Sequence, residues 1–182
     1  MSALPRTYLF VPGNRAERFE KALSAGADAV VIDLEDAVTP ADKPNARDAV
    51  ARRLSTATPA ERSRLVVRIN DSSTPWFEAD LAMLHSHGAT TVMLPKAETA
   101  SLIVNVRTAC PQIAVLALIE SARGVLNAAA IAAEPGVQRL VFGTIDFALE
   151  LGLSGDPAGF DTAASLLRSR RAPRASPHRW RA

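Results

Sequence analysis

Ionisable residues in this chain recur at one kind of place, at or just beyond the end of a short apolar run. Asp33, Glu35 and Asp36 end AVVIDLED, and Arg68 lies inside VVRIN. Lys96 follows VMLP, Glu120 closes IAVLALI, and Asp146 follows VFGTI. Glu120 and Asp146 are hard oxygen donors with no cysteine or histidine nearby. Such a pair suits Mg2+, which takes one or two carboxylates and keeps waters that a substrate can replace. Arg68 can grip a carboxylate bidentately or stabilise a developing oxyanion. A metal, an arginine and carboxylates together suit carbon–carbon cleavage through an enolate.

Taken singly, a charge at a strand end means only that strands end in water. Asp33 and Arg68 resist that reading, because each has apolar neighbours on both sides and a buried charge needs a partner. The competing reading of the whole set is an ion-pair network that only holds the strand ends together. Five successive runs that each deliver a charge favour a functional edge.

The elements that must position these residues follow from the hydrophobic pattern. Apolar runs at Tyr8–Val11, Ala29–Leu34, Leu65–Ile69, Thr91–Leu94, Ile113–Ile119 and Val137–Phe142 read as strands. Helical patterns lie between them, over Arg15–Ala25, Ala46–Leu54, Glu98–Ala109 and Ser121–Ala133. A further helix is expected from about Pro75 to Gly88, with Thr74 as its N-cap. Six consecutive βα units predict a parallel sheet covered by helices, with strands buried on both faces. A doubly wound open sheet and a (β/α)8 barrel cut short both fit, and in either the strands' carboxyl ends form the active-site edge. No phosphate-binding glycine motif follows the first strand, which removes the usual reason to choose a nucleotide-binding sheet.

Composition narrows the function classes. The 182 residues are 48% hydrophobic and 22% charged, enough for one globular domain with its own core. One cysteine, Cys110, excludes an intrachain disulfide framework, and three histidines argue against a Cys/His metal site. The net charge of +2 averages two unlike parts: six arginines fall in the last fifteen residues, leaving residues 1–167 with fifteen basic against nineteen acidic side chains. The acidic body does not suggest nucleic-acid binding. No apolar run reaches the roughly 18 residues of a membrane span, and MSALPRTYLF lacks a signal-peptide pattern, so a cytoplasmic location is expected. His85 and His87 read as surface residues, Cys110 as a half-buried filler, and Trp76 and Phe77 as anchors of a helix start. Gly13-Asn14 is only a weak candidate for a phosphate contact.

The stretches YLFVPGNRAERFEKALSAGADAVVIDLEDAV, VVRIN, TPWFEADL, VMLPKAE and LALIESARGVLNAAAIAAEPGVQRLVFGTIDFALELG together resemble the citrate lyase β-subunit-like proteins of the HpcH/HpaI aldolase family. The resemblance spans about residues 4–165. It implies a TIM barrel, trimeric in the family, that cleaves or forms β-hydroxyacyl-CoA thioesters such as citryl-CoA or malyl-CoA with Mg2+. Carried over motif by motif, Arg68 resembles the substrate-binding arginine. Glu120 resembles the residue that binds both metal and substrate, and Asp146 the second metal ligand. Glu35, Asp36 and Lys96 resemble pocket-lining residues, with Asp36 taken beside Arg68 as catalytic and Glu35 and Lys96 as substrate-binding.

The resemblance fails at the C-terminus. The family would continue after Asp161 into the last two strands and an extension carrying a catalytic aspartate to a neighbouring subunit. Residues 1–165 therefore read as a partial TIM-barrel lyase domain with about six βα units, and 166–182 as a basic, disordered tail. A chain ending so is expected to be a poor enzyme that self-associates through open sheet edges. Three functions are carried forward: an Mg2+-dependent acyl-CoA lyase, a CoA-independent pyruvate-type aldolase, and a non-catalytic remnant.

Overall fold

The structure, a computed structural model, describes residues 4–153 and 158–169. Six strands form one parallel sheet: β1 Tyr8–Pro12, β2 Ala29–Asp33, β3 Leu65–Arg68, β4 Thr91–Leu94, β5 Ala114–Ile119 and β6 Val137–Phe142. The helices are α1 Phe19–Ser24, α2 Lys43–Thr56, α3 Pro59–Arg62, α4 Phe77–Ser86, α5 Ala100–Ala109, α6 Ala122–Ala133, α7 Thr144–Leu151 and α8 Ala158–Ser169. None of the described helices is long and apolar enough to cross a membrane.

Strand order in space equals strand order in sequence, β1 through β6. A doubly wound sheet reverses direction part-way, whereas a barrel winds one way throughout. The winding is therefore that of a TIM barrel, with the sheet left unclosed between β6 and β1. Alternate strand residues explain why the apolar runs are unbroken. Val30, Ile32, Val67, Leu94, Val115 and Ile119 pack outward under the helices. Ala29, Val31, Val66, Met93, Leu116 and Leu118 pack inward as a second cluster, with Tyr8 and Val141 against it.

Across the unclosed gap, Arg139 of β6 reaches the chain before β1. Its Nη1 donates to the Pro5 carbonyl at 2.6 Å, and its guanidinium lies 6.0 Å from the Tyr8 ring centroid.

Several expectations need correction. Thr74 does not cap α4: its hydroxyl donates to the Asp71 carbonyl at 2.7 Å, and the N-cap position belongs to Trp76. Asp71 also accepts the Ser73 amide at 2.7 Å, so local side-chain bonds close a turn where the helix was expected to begin. The first helix opens as a 3-10 turn at Ala16–Arg18, before α1. Ser121 does cap α6, accepting from the Gly124 amide. At the other end, α8 runs through Leu166–Ser169 and buries Leu167, so the expected disordered tail starts as helix. The rest of that tail lies outside the described residues.

Candidate active site

The inward-facing set continues past the strands. Val31 and Val66 face the interior, so period-2 alternation sends Asp33 and Arg68, the last residues of β2 and β3, to the same side. They are also register partners on neighbouring strands. Glu120 follows inward Leu118 by two residues, and Phe10 follows inward Tyr8 by two.

Asp33 holds Arg68 with both carboxylate oxygens, accepting Nε at Oδ1 and Nη2 at Oδ2, each at 2.7 Å. The same aspartate, 2% exposed, accepts the backbone amides of Glu35 at 2.9 Å and Ala37 at 3.1 Å. The third guanidinium nitrogen, Nη1, lies 3.0 Å from Glu35 Oε2 and 3.2 Å from Asp36 Oδ2. The Glu35 contact is a close approach only; Oε2 is buried without a well-directed hydrogen bond. The Phe10 ring lies 5.4 Å from the guanidinium carbon. Lys43, at the start of α2, fixes the loop below: its Nζ donates to the carbonyls of Leu34 at 2.6 Å and Glu35 at 2.7 Å, and sits 5.2 Å from the Trp76 ring centroid.

Glu120 stands at the next part of the same edge. Its Oε1 accepts the Lys96 amide at 2.7 Å. Lys96 attains that position through a left-handed backbone, φ +45°, a conformation that L residues other than glycine rarely adopt. Lys96, expected as a substrate-binding side chain, is exposed, and its contact with Glu120 is made by its backbone amide. Opposite, Gly143 leaves room for the carboxylate: a Cβ there would fall 2.7 Å from Glu120 Oε2. Asp146 lies in the first turn of α7, one step beyond the strand end where the sequence put it.

Electrostatics join the two groups. Burial raises the Glu35 pKa from 4.5 to about 8, against the opposing pull of Arg68 and with help from the charges of Asp36, Glu120 and Asp33. Burial likewise raises Glu120 to about 7; the Lys96 amide opposes the rise and the charge of Asp146 adds to it. Burial disfavours the Arg68 cation, but the Asp33 bonds and surrounding carboxylates outweigh it and shift the group upward, so Arg68 is a permanent positive charge.

The donor chemistry fits a divalent cation. Glu120 and Asp146 repel one another, Asp146 has no partner among the described residues, and a cation between them would relieve both. No group of three or more Asp, Glu, His or Cys surrounds a common point among the described residues. Two carboxylates would leave the other positions to water and substrate, as Mg2+ prefers.

Arg68, Glu35, Asp36, Glu120 and Asp146 therefore share one edge. Phe10, Lys43 and Gly143 were not singled out by sequence. Phe10 carried a signal in its period-2 spacing from Tyr8, whereas Lys43 and Gly143 act through contacts that no local pattern reveals. The residues set aside stay structural: His87 Nδ1 pairs with Ser55 Oγ at 2.9 Å, Cys110 is buried where half-burial was expected, and Asn14 donates to Asp42 at 3.2 Å.

A model of the HpcH/HpaI aldolase/citrate lyase family matches residues 6–177. The chain belongs to that family. Among HpcH/HpaI relatives, a (3S)-malyl-CoA thioesterase of Cereibacter sphaeroides is 39% identical over 146 residues, covering 80% of this chain and 51% of the relative. A citrate lyase subunit beta-like protein of Mycobacterium tuberculosis is 43% identical over 145 residues, 80% of this chain and 50% of the relative. The chain thus spans about half the length of the curated relatives it matches. Crystal structures of the protein CitE from Mycobacterium tuberculosis superpose well. The complex with magnesium and pyruvate gives a TM-score of 0.79 at 39% identity, over 93% of this chain and 69% of that one. The complex with magnesium, acetoacetate and coenzyme A gives 0.75 at 41% identity, over 93% and 60%.

Proposed function

We propose that this chain carries the site of an Mg2+-dependent carbon–carbon lyase that splits a β-hydroxyacyl-CoA, of the citryl-CoA or malyl-CoA type, into an acyl-CoA and an oxo acid. The observation that carries this reading is the pairing of two mutually repelling carboxylates, Glu120 and Asp146, with a fixed cation, Arg68, on one barrel rim. Glu120 and Asp146 would hold the Mg2+, which when bound supplies positive charge for oxygens that become more negative during bond cleavage. Lys96 orients Glu120 through its amide, and Gly143 leaves the carboxylate its space. Arg68 binds the anionic end of the substrate, with its plane set by the Asp33 fork. Glu35 keeps a proton on its carboxyl near neutral pH, which lowers the negative charge an anionic substrate meets. Assembly into a homo-oligomer belongs to the same reading.

A second reading has its own support in the malyl-CoA thioesterase relative: the same site would direct water to the thioester. Product analysis separates the two. Incubation with malyl-CoA should yield acetyl-CoA and glyoxylate for the lyase, but free coenzyme A and malate for the thioesterase. Either activity should disappear with a chelator and in Arg68→Ala. Turnover of a free hydroxy-oxo acid without coenzyme A would favour the pyruvate-type aldolase. No turnover of any substrate would leave a non-catalytic remnant.

A further inference from the structure

The geometry points to Asp36 as a stand-in for the substrate's anion: its carboxylate occupies the place at Arg68 Nη1 that a substrate carboxylate or oxo group takes, and the substrate displaces it. This rests on the reading above that Arg68 receives an anionic substrate.

A guanidinium has five N–H donors on three nitrogens. Asp33 commits Nε and one end of Nη2, and it cannot yield them. It is 2% exposed and also holds two backbone amides, so its carboxylate cannot turn away from Arg68 without breaking the turn after β2. The Phe10 ring lies against the guanidinium. The yielding end is therefore Nη1.

Two acids sit there, and they differ in mobility. Glu35 is 8% exposed, and Lys43 pins its own carbonyl, so it stays. The Asp36 side chain is 66% exposed, and its one ion pair among the described residues is with Arg68, at 3.2 Å and without a well-directed hydrogen bond. An exposed ion pair of that kind is weak, because water competes for both charges. Asp36 can rotate into solvent and leave the Nη1 protons to a ligand oxygen. While in place it cancels part of the charge that attracts the ligand. Asp36 is thus a determinant of anion affinity, and only ligands with an anionic or strongly polarised oxygen at that spot gain enough to replace it.

The test is calorimetric titration of pyruvate, with Mg2+ present, into the whole chain. It compares wild type, Asp36→Asn, Asp36→Ala and the control Glu98→Gln, which removes a charge from the same edge without touching Arg68. Both Asp36 variants should bind pyruvate about two- to fivefold more tightly, the range an exposed ion pair is worth. Their thermal midpoints should stay at the wild-type value, and Glu98→Gln should bind as wild type does. Measurable wild-type binding with unchanged or weaker binding by the Asp36 variants overturns the proposal. Equal tightening by Glu98→Gln also overturns it, since net charge would then be the cause. Absence of pyruvate binding to wild type overturns the assignment of Arg68 as the anion site and this proposal with it.

Discussion

Asp33 accepts four hydrogen bonds, two from the Arg68 guanidinium and two from backbone amides. Replacing it with asparagine removes the charge that faces a largely buried guanidinium and at least one acceptor. Breaking one partner of a buried pair is costly, since the other charge is stranded. Asp33→Asn should lower the unfolding free energy by about 3 kcal/mol in urea denaturation. A loss near zero would show that Glu35 and Asp36 alone satisfy Arg68. Glu35 makes a pH prediction of definite sign. Its pKa is 4.5 when unfolded and about 8 when folded, so between those values the folded chain binds more protons. Stability then falls as pH rises through that window, and Glu120, raised to about 7, adds the same sign. The metal-free chain should melt at a higher temperature at pH 5 than at pH 8.5, and Glu35→Gln should flatten that slope. A midpoint that rises with pH would contradict the assignment.

At the scale of elements, the junctions after the strands decide the site. At the β6–α7 junction, Gly143 donates to the Ile119 carbonyl at 2.9 Å and faces the Glu120 side chain. A methyl group there would sit 2.8 Å from Glu120 Cβ as well as 2.7 Å from Oε2, so the carboxylate must move. Gly143→Ala should weaken Mg2+ binding about 10- to 100-fold, the usual cost of disturbing the support of a metal ligand. Far-ultraviolet dichroism should stay unchanged, because φ at Gly143 is −90° and suits alanine. Unaltered Mg2+ affinity would mean that Glu120 is not a ligand.

For the whole molecule, the notable link is Arg139, which joins the last strand to the segment before the first, 134 residues apart. Helices cover the outer face of the sheet, but β1 and β6 have no strand partner in each other. The Arg139–Pro5 bond at 2.6 Å and the stack on Tyr8 therefore bridge the unclosed part of the barrel. Arg139→Ala should cost about 1.5–3 kcal/mol, the range for hydrogen bonds to charged groups. Amide exchange should quicken first in β1 and β6. Uniform protection across the sheet would assign the bridge no such role.

The six strands and their two-sided burial could be read directly, because apolar periodicity is local and each run carries its own boundaries. The charged edge was legible for the same reason: Asp33, Arg68 and Glu120 terminate runs whose alternation sets the direction of their side chains. Choosing a barrel over a doubly wound sheet on residues alone was not possible, since strand order is a relation between distant segments. Contacts within the site were also decided by tertiary structure. The Asp33–Arg68 fork depends on the register of β2 against β3, and the Lys96–Glu120 bond on a left-handed turn 24 residues away in sequence. Lys43 reads locally as an ordinary helix-start lysine, and Gly143 as a plain helix-start glycine. Both acquire their roles only when carbonyls and a carboxylate from other segments are brought within a few ångströms. Local chemistry thus specified which groups reach the rim, and only packing between strands specified which of them meet.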